Sequence, residues 1–147
     1  IGYGMTGIYA DDSISAEHKE ICETLMQSGG KVVWVDKEAE LDQVIALAGS
    51  SPAYFFLFIE SMIASGVNMG MAEDKARLLA EQAALGAAQM VIQNQQLSVT
   101  ELRQNVMSKG GTTARAVETF QQGGLVELVD KAMTNCVARA QEMAKTF

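Results

Sequence analysis

Ser108-Lys109-Gly110-Gly111-Thr112-Thr113 is the stretch of this 147-residue chain whose residue types and order can do chemistry. The chain has three Gly-Gly pairs. Gly29-Gly30 and Gly123-Gly124 follow helical runs and read as stop signals, whereas Gly110-Gly111 precedes a run that reads as a helix from Thr113 to Gln122. Glycine lets backbone approach a ligand closely. The first turn of a helix presents N–H groups without partners, and its dipole favours a negative guest. With threonines at the capping positions and Lys109 adding attraction, the stretch is a candidate cradle for a carboxylate or phosphate. Taken alone, SKGGTT is read more readily as an ordinary capped turn between helices. It is not a phosphate loop of the G-x-x-x-x-G-K-[ST] kind, because that spacing is missing.

A second glycine cluster competes for attention. Gly2-Tyr3-Gly4-Met5-Thr6-Gly7 matches the G-x-G-x-x-G pattern of dinucleotide-binding folds. That pattern works when a strand delivers the first glycine to a turn and a helix follows the last. Only Ile1 precedes Gly2, and Ile8 to Asp12 lacks helical period, so coil running into a short strand from Met5 to Ala10 is the better reading. His18, the single histidine, falls in the helical pattern Ile14, His18, Ile21, Cys22, Leu25 and reads as a helix-face residue. Cys22 and Cys136 are isolated, which suits a reducing cytoplasm and offers no zinc set. Cys136 falls in an apolar stripe and reads as an inert buried thiol. No metal site is expected.

The elements that must position these residues follow from periodicity. Ser13 or Ser15 caps a helix ended by Gly29-Gly30, and Lys31 to Val35 is β-branched and aromatic, hence a strand. Strand, helix, strand is one βαβ unit with an expected right-handed crossover. Two strands do not make an independent domain, so the unit reads as the last part of a larger α/β sheet. From Lys37 onward the pattern is helical. Glu38 to Ala48 is stopped by Gly49-Ser50-Ser51-Pro52, with Pro52 starting the next helix. There Phe55, Phe58, Ile59, Met62 and Ile63 form a stripe while Tyr54, Phe56 and Leu57 fill the other sides. Such a helix must be buried all round, which favours a partner subunit. Ala72 to Gln93 is rich in alanine and glycine, suiting close helix packing. Ser98-Val99-Thr100-Glu101 is a capping box opening a helix from 99 to 107. Leu125 to Ala140 carries a continuous apolar stripe.

Charge and composition exclude some functions. A net charge of −7 provides no basic face for nucleic acid. The longest unbroken apolar run, Ala53 to Ile59, is far shorter than the ~18 residues of a membrane helix, so no membrane is expected as partner.

GSSPAYFFLFIESM (Gly49 to Met62), AEQAALGAAQMVIQN (Ala80 to Asn94) and LRQNVMSKGGTTARAVETFQQGG (Leu102 to Gly124), in this order, resemble the C-terminal half of pyrroline-5-carboxylate reductase. The likeness runs from about Gly4 to Ala144, and the Ser-x-Gly-Gly-Thr-Thr loop followed by A-V-E-x-F-x-x-G-G is its most specific part. GMTGIYAD (Gly4 to Asp11) resembles a late strand of the family's cofactor domain. The resemblance implies a mostly α fold: residues 1–36 a βαβ remnant of a Rossmann-like NAD(P)-binding domain, and residues 37–147 a helical substrate-binding and dimerisation domain. It implies reduction of 1-pyrroline-5-carboxylate to L-proline by hydride from NADPH or NADH, with the cofactor site mostly outside this chain. The 147-residue chain alone is therefore expected to consume no NADPH. It also implies a cytoplasmic homodimer, often assembled into a decamer. Ser108, Gly110, Gly111, Thr112 and Thr113 would hold the substrate carboxylate, with the Thr113 hydroxyl near the ring nitrogen as the catalytic group. Many members have proline where this chain has Lys109, and Ser51 replaces a frequent glycine; neither has an assigned role. A non-catalytic helical oligomerisation module with a passive anion loop is the alternative.

Overall fold

The computed structural model describes residues 2–146. The fold is mostly helical, preceded by a small parallel sheet: β1 (Gly4–Ile8), α1 (Ala16–Gln27) and β2 (Gly30–Trp34) form the expected βαβ unit. The strands pair in parallel with Gly4 opposite Gly30 and Ile8 opposite Trp34. Each strand begins and ends slightly earlier than the sequence suggests. Of the two serines proposed as caps, Ser15 does the work, its Oγ accepting the His18 N–H at 3.3 Å. Ser13 instead hydrogen-bonds Asp11, which holds that carboxyl below its usual range. Trp34 Nε1 donates to Glu23 Oε2 at 2.9 Å and ties β2 to α1. Gly30 has φ +152°, and a Cβ there would overlap the Gly4 backbone.

The segment read as one helix from Glu38 to Ala48 is three pieces. A 3-10 turn (Glu38–Glu40) leads into α2 (Leu41–Val44), then a π turn (Ile45–Gly49) closed by Ser50 N–H on Ile45 O at 2.8 Å. Gly49 does not stop the chain here, because the wide turn absorbs one extra residue and passes directly into α3 (Ser51–Asn68). Pro52 is tolerated in the first turn of α3, where a missing N–H costs no helical bond.

The remaining helices are α4 (Glu73–Gln93), α5 (Val99–Asn105), α6 (Thr112–Gln122) and α7 (Leu125–Ala144). The capping box forms: Ser98 Oγ accepts the Glu101 N–H at 3.2 Å and Glu101 Oε2 accepts the Ser98 N–H at 2.8 Å. The Ser98 donors pull the Glu101 carboxyl below its usual range. α3 and α4 meet where Gly66 is buried against Ala76. Elsewhere a groove of about 780 Å³ lies between them, with Phe56, Ile59, Ile63 and Val67 on one wall and Arg77 and Glu81 on the other. Phe58 and Phe120 stack obliquely at 5.8 Å.

The chain divides into two compact units, one of residues up to Tyr54 together with those from Val129 onward, the other Phe55–Leu128. Among the described residues the buried apolar ones are few, three alanines (Ala46, Ala76 and Ala80) and Leu102. Meanwhile Phe55 and Phe56 are each 67% exposed. The chain exposes 11534 Å², against about 7,300 Å² expected for a folded monomer of its mass. α3 is apolar on every side, as its sequence requires, and its own chain leaves most of it uncovered. The continuous helical run also corrects the length argument against a membrane: Glu38–Asn68, 31 residues at mean hydropathy 1.4, is long and apolar enough to span one. Its polar opening and Glu60 sit equally well in an interface between proteins.

A Cβ on Gly7 would lie 2.8 Å from Val44 Cγ1, so β1 presses directly on α2. Gly7→Ala is expected to lower stability by about 1–3 kcal/mol in denaturant unfolding, as overpacked sites do. Adding Val44→Ala should recover part of that loss. An unchanged midpoint for Gly7→Ala would show that the contact is slack.

Candidate functional site

The loop leading into α6 starts at Val106, where α5 gives way, and Met107 N–H still bonds Gln104 O at 3.0 Å. Gly111 N–H then donates to Ser108 O at 2.9 Å, closing a four-residue turn. Gly110 has φ +73°, and no residue other than glycine has positive φ among those described. Negative φ at the second position and positive φ at the third define a type II turn. Gly110 therefore supplies a backbone conformation that side chains resist.

Helix α6 begins one residue earlier than its pattern suggests. Its N-cap is Gly111 (φ −78°, ψ 169°), with no side-chain cap bond, and Thr112 and Thr113 are its first two helical residues. The expectation of capping threonines is thus corrected. Glycine is an accepted N-cap, and the type II turn delivers it already extended. The first bond into the helix is Arg115 N–H to Gly111 O at 3.2 Å. Among the described residues, the N–H groups of Thr112, Thr113 and Ala114 have no acceptor. Ser108, Lys109, Gly110, Thr112 and Thr113 are exposed and Gly111 is half-buried. All the loop residues proposed from sequence thus lie together at one helix mouth. Lys109 makes no ion pair among the described residues, and Arg115 is paired with Glu118 at 2.9 Å. The positive end of the helix faces open amides with no acidic side chain in its first turn.

The competing candidates fall elsewhere. Gly4 and Gly7 lie inside β1, where their missing side chains make room for the Gly29 carbonyl and for Val44. These glycines do not fit a dinucleotide loop, which needs them between a strand and a helix. His18 is exposed on α1. Cys136 is half-exposed rather than buried; its Sγ lies 3.5 Å from Ser50 Oγ. The Ser50 and Tyr54 hydroxyls push the thiol below its usual range, and the thiol in turn raises Tyr54. Sequence reasoning missed this contact because it joins residues 86 positions apart. Ser51 Oγ sits 3.5 Å from Ala48 O, within the turn that opens α3. No group of three metal-ligating side chains occurs among the described residues.

Lys109 occupies the position of the type II turn at which proline is favoured. Lys109→Pro is expected to raise stability by about 0.4–1 kcal/mol through the unfolded chain. Thermal unfolding checks this, and a loss of stability would show that the turn differs from type II.

Known proteins resemble this chain along its length. The family model for pyrroline-5-carboxylate reductase dimerisation matches residues 38–143. The pyrroline-5-carboxylate reductase of Vibrio alginolyticus is 49% identical over 147 residues, covering 100% of this chain and 54% of that protein. That of Pasteurella multocida is 48% identical with the same coverage. Among solved structures, a pyrroline-5-carboxylate reductase from Coxiella burnetii superposes with TM-score 0.90 at 40% identity, over 95% of this chain and 52% of that one. The Plasmodium falciparum pyrroline carboxylate reductase with NADP bound superposes with TM-score 0.82 at 26% identity, over 93% of this chain and 52% of that one. The chain spans about half the length of the relatives it matches. With a dimerisation model covering its helical part and relatives of near 50% identity along all of it, the chain belongs to the pyrroline-5-carboxylate reductase family.

Proposed function

We propose that this chain is the substrate-binding and dimerising part of a cytoplasmic enzyme that reduces 1-pyrroline-5-carboxylate to L-proline, the last step of proline biosynthesis. The observation that carries the reading is the mouth of α6, where three successive amides lack acceptors behind a glycine turn. A carboxylate is the guest such a mouth favours, since it accepts from several N–H groups and lies at the positive end of the dipole. Fixing the carboxylate fixes the ring, and orientation supplies much of the rate in such reactions. The Thr113 hydroxyl, one residue into the helix, is the group we assign beside the ring nitrogen. The described residues do not form a dinucleotide cradle, so NADPH or NADH, which supplies the hydride, is assigned to the part of the relatives that lies beyond this chain. We take residues 1–36 as the edge of that cofactor domain and 37–147 as the helical domain; the start of the family match at residue 38 supports this division.

The partner we assign to α3 is a second copy of the chain. Removing Phe55, Phe56 and Leu57 from water requires an obligate interface, and such interfaces bury ~2,000–5,000 Å². A decamer of five dimers is the further assembly expected. The alternative is a non-catalytic oligomerisation module with a passive anion loop.

Thr112→Pro separates these readings. Proline is tolerated at the first helical position, and Gly111 is already extended as a residue before proline must be, so the variant deletes one donor and keeps the helix. In the full-length reductase, KM for the imine and Kd for L-proline should each rise on the order of 10-fold, as expected for one hydrogen bond to a charged group. An unchanged KM with an intact melting curve removes the loop from the site.

If α3 is covered by a second copy, folding and association are one equilibrium. The unfolding midpoint should then rise with protein concentration between about 1 and 100 μM. A midpoint independent of concentration, with a monomer in sedimentation, would overturn the dimer.

A further inference from the structure

Glu60 is the one charged residue of α3: no lysine, arginine or histidine lies in that helix, and no second carboxylate. Its side chain is exposed and lines the groove between α3 and α4, among the apolar residues of the α3 wall. Across the groove α4 contributes Glu73, Arg77 and Glu81. Arg77 Nε is already held by Glu81 Oε1 at 2.7 Å, and Glu60 makes no ion pair among the described residues. On another side of α3, α6 meets Phe58 through Phe120, and its Arg115 and Glu118 are paired with each other. The groove therefore sets three carboxylates against one guanidinium, and that guanidinium is engaged.

The cover of this groove is a second copy of the chain. The surface the chain exposes exceeds that of a folded monomer of its mass by about 4,000 Å². That is ample for an obligate interface, and the family model that matches residues 38–143 is one for dimerisation. A two-fold dimer uses the same patch on both subunits. The helix that needs covering is thus also the helix that covers, and α3 brings no cation with it. Such a cover strips water from Glu60 without supplying a partner, and loss of water favours the uncharged form of a carboxyl group.

We propose that the interface formed by α3 is proton-linked through Glu60: the dimer takes up a proton at this carboxylate, so association is tight at mildly acidic pH and loosens as pH rises. The proposal rests on the second-copy reading of α3 given above. The state that binds more protons gains as pH falls, and here that state is the dimer.

Sedimentation of the full-length reductase in a dilution series, between about pH 5.5 and 8.5, reads the dimer Kd, and the concentration-dependent unfolding midpoint tracks the same change. Kd should rise with pH, by up to about tenfold per unit for each proton taken up. Glu60→Gln keeps the shape and removes the charge. Its dimer should be tighter than the wild type at about pH 8 and nearly insensitive to pH, and Glu60→Leu should associate at least as tightly. If Glu60→Gln instead dissociates more readily, the partner supplies a cation to this carboxylate and the proposal is overturned. A pH dependence that Glu60→Gln leaves unaltered overturns it too, because the protons then bind elsewhere. A monomer at every pH, with a midpoint independent of concentration, removes the dimer itself; a stable dimer with no pH dependence removes only the role of Glu60.

Discussion

The structure depends on a shortage of covered apolar surface. α3 is apolar on every side, yet the residues that it and α4 bury within the chain are small, and its Phe55 and Phe56 stand mostly in water. A helix in that state is stable only when something removes it from solvent. Much else follows. Gly66 against Ala76 lets α3 and α4 close at one end, leaving beside that contact a groove with an apolar wall. Buried alanines at 76 and 80 continue this economy of volume, since small residues fix where helices meet without filling the space beside them.

Against that apolar framework the loop before α6 is a polar device of backbone. Its geometry comes from one left-handed residue, Gly110, and one side-chain-free residue, Gly111. The turn they form uses the Gly111 amide internally and aims the next three outward. The positive potential at this helix mouth therefore arises from peptide dipoles more than from long flexible side chains. A fixed set of amides loses no rotamer freedom on binding, which suits recognition of a small, rigid anion.

Much of this was legible in the sequence, and the exceptions have physical causes. The Ser98–Glu101 capping box, the parallel βαβ unit and the ends of α1 and α6 at paired glycines were read from residue type and spacing, because local hydrogen bonding decides them. The position of the loop was read for the same reason. The N-cap of α6 was misplaced by one residue, since threonine and glycine both cap and only the turn geometry chooses between them. The π turn at Ile45–Gly49 was missed because its signal, one surplus residue between two helical runs, looks like an ordinary stop. Cys136 was expected to be buried on the strength of its stripe; that stripe is real, but within the chain much of it remains in contact with water.

The pairing of Gly4 with Gly30 has a consequence for how the two strands find each other. Parallel strands have no tight hairpin to count residues, so their alignment must be fixed by something else. Here the paired backbones start at a point with no room for a Cβ on either strand. Sliding a strand by two places, the shift that alternation permits, would bring Thr6 or Val32 to that point, where its Cβ would collide with main chain. Two missing side chains thus act as a steric key, selecting one alignment out of several that the alternation of residues alone would permit.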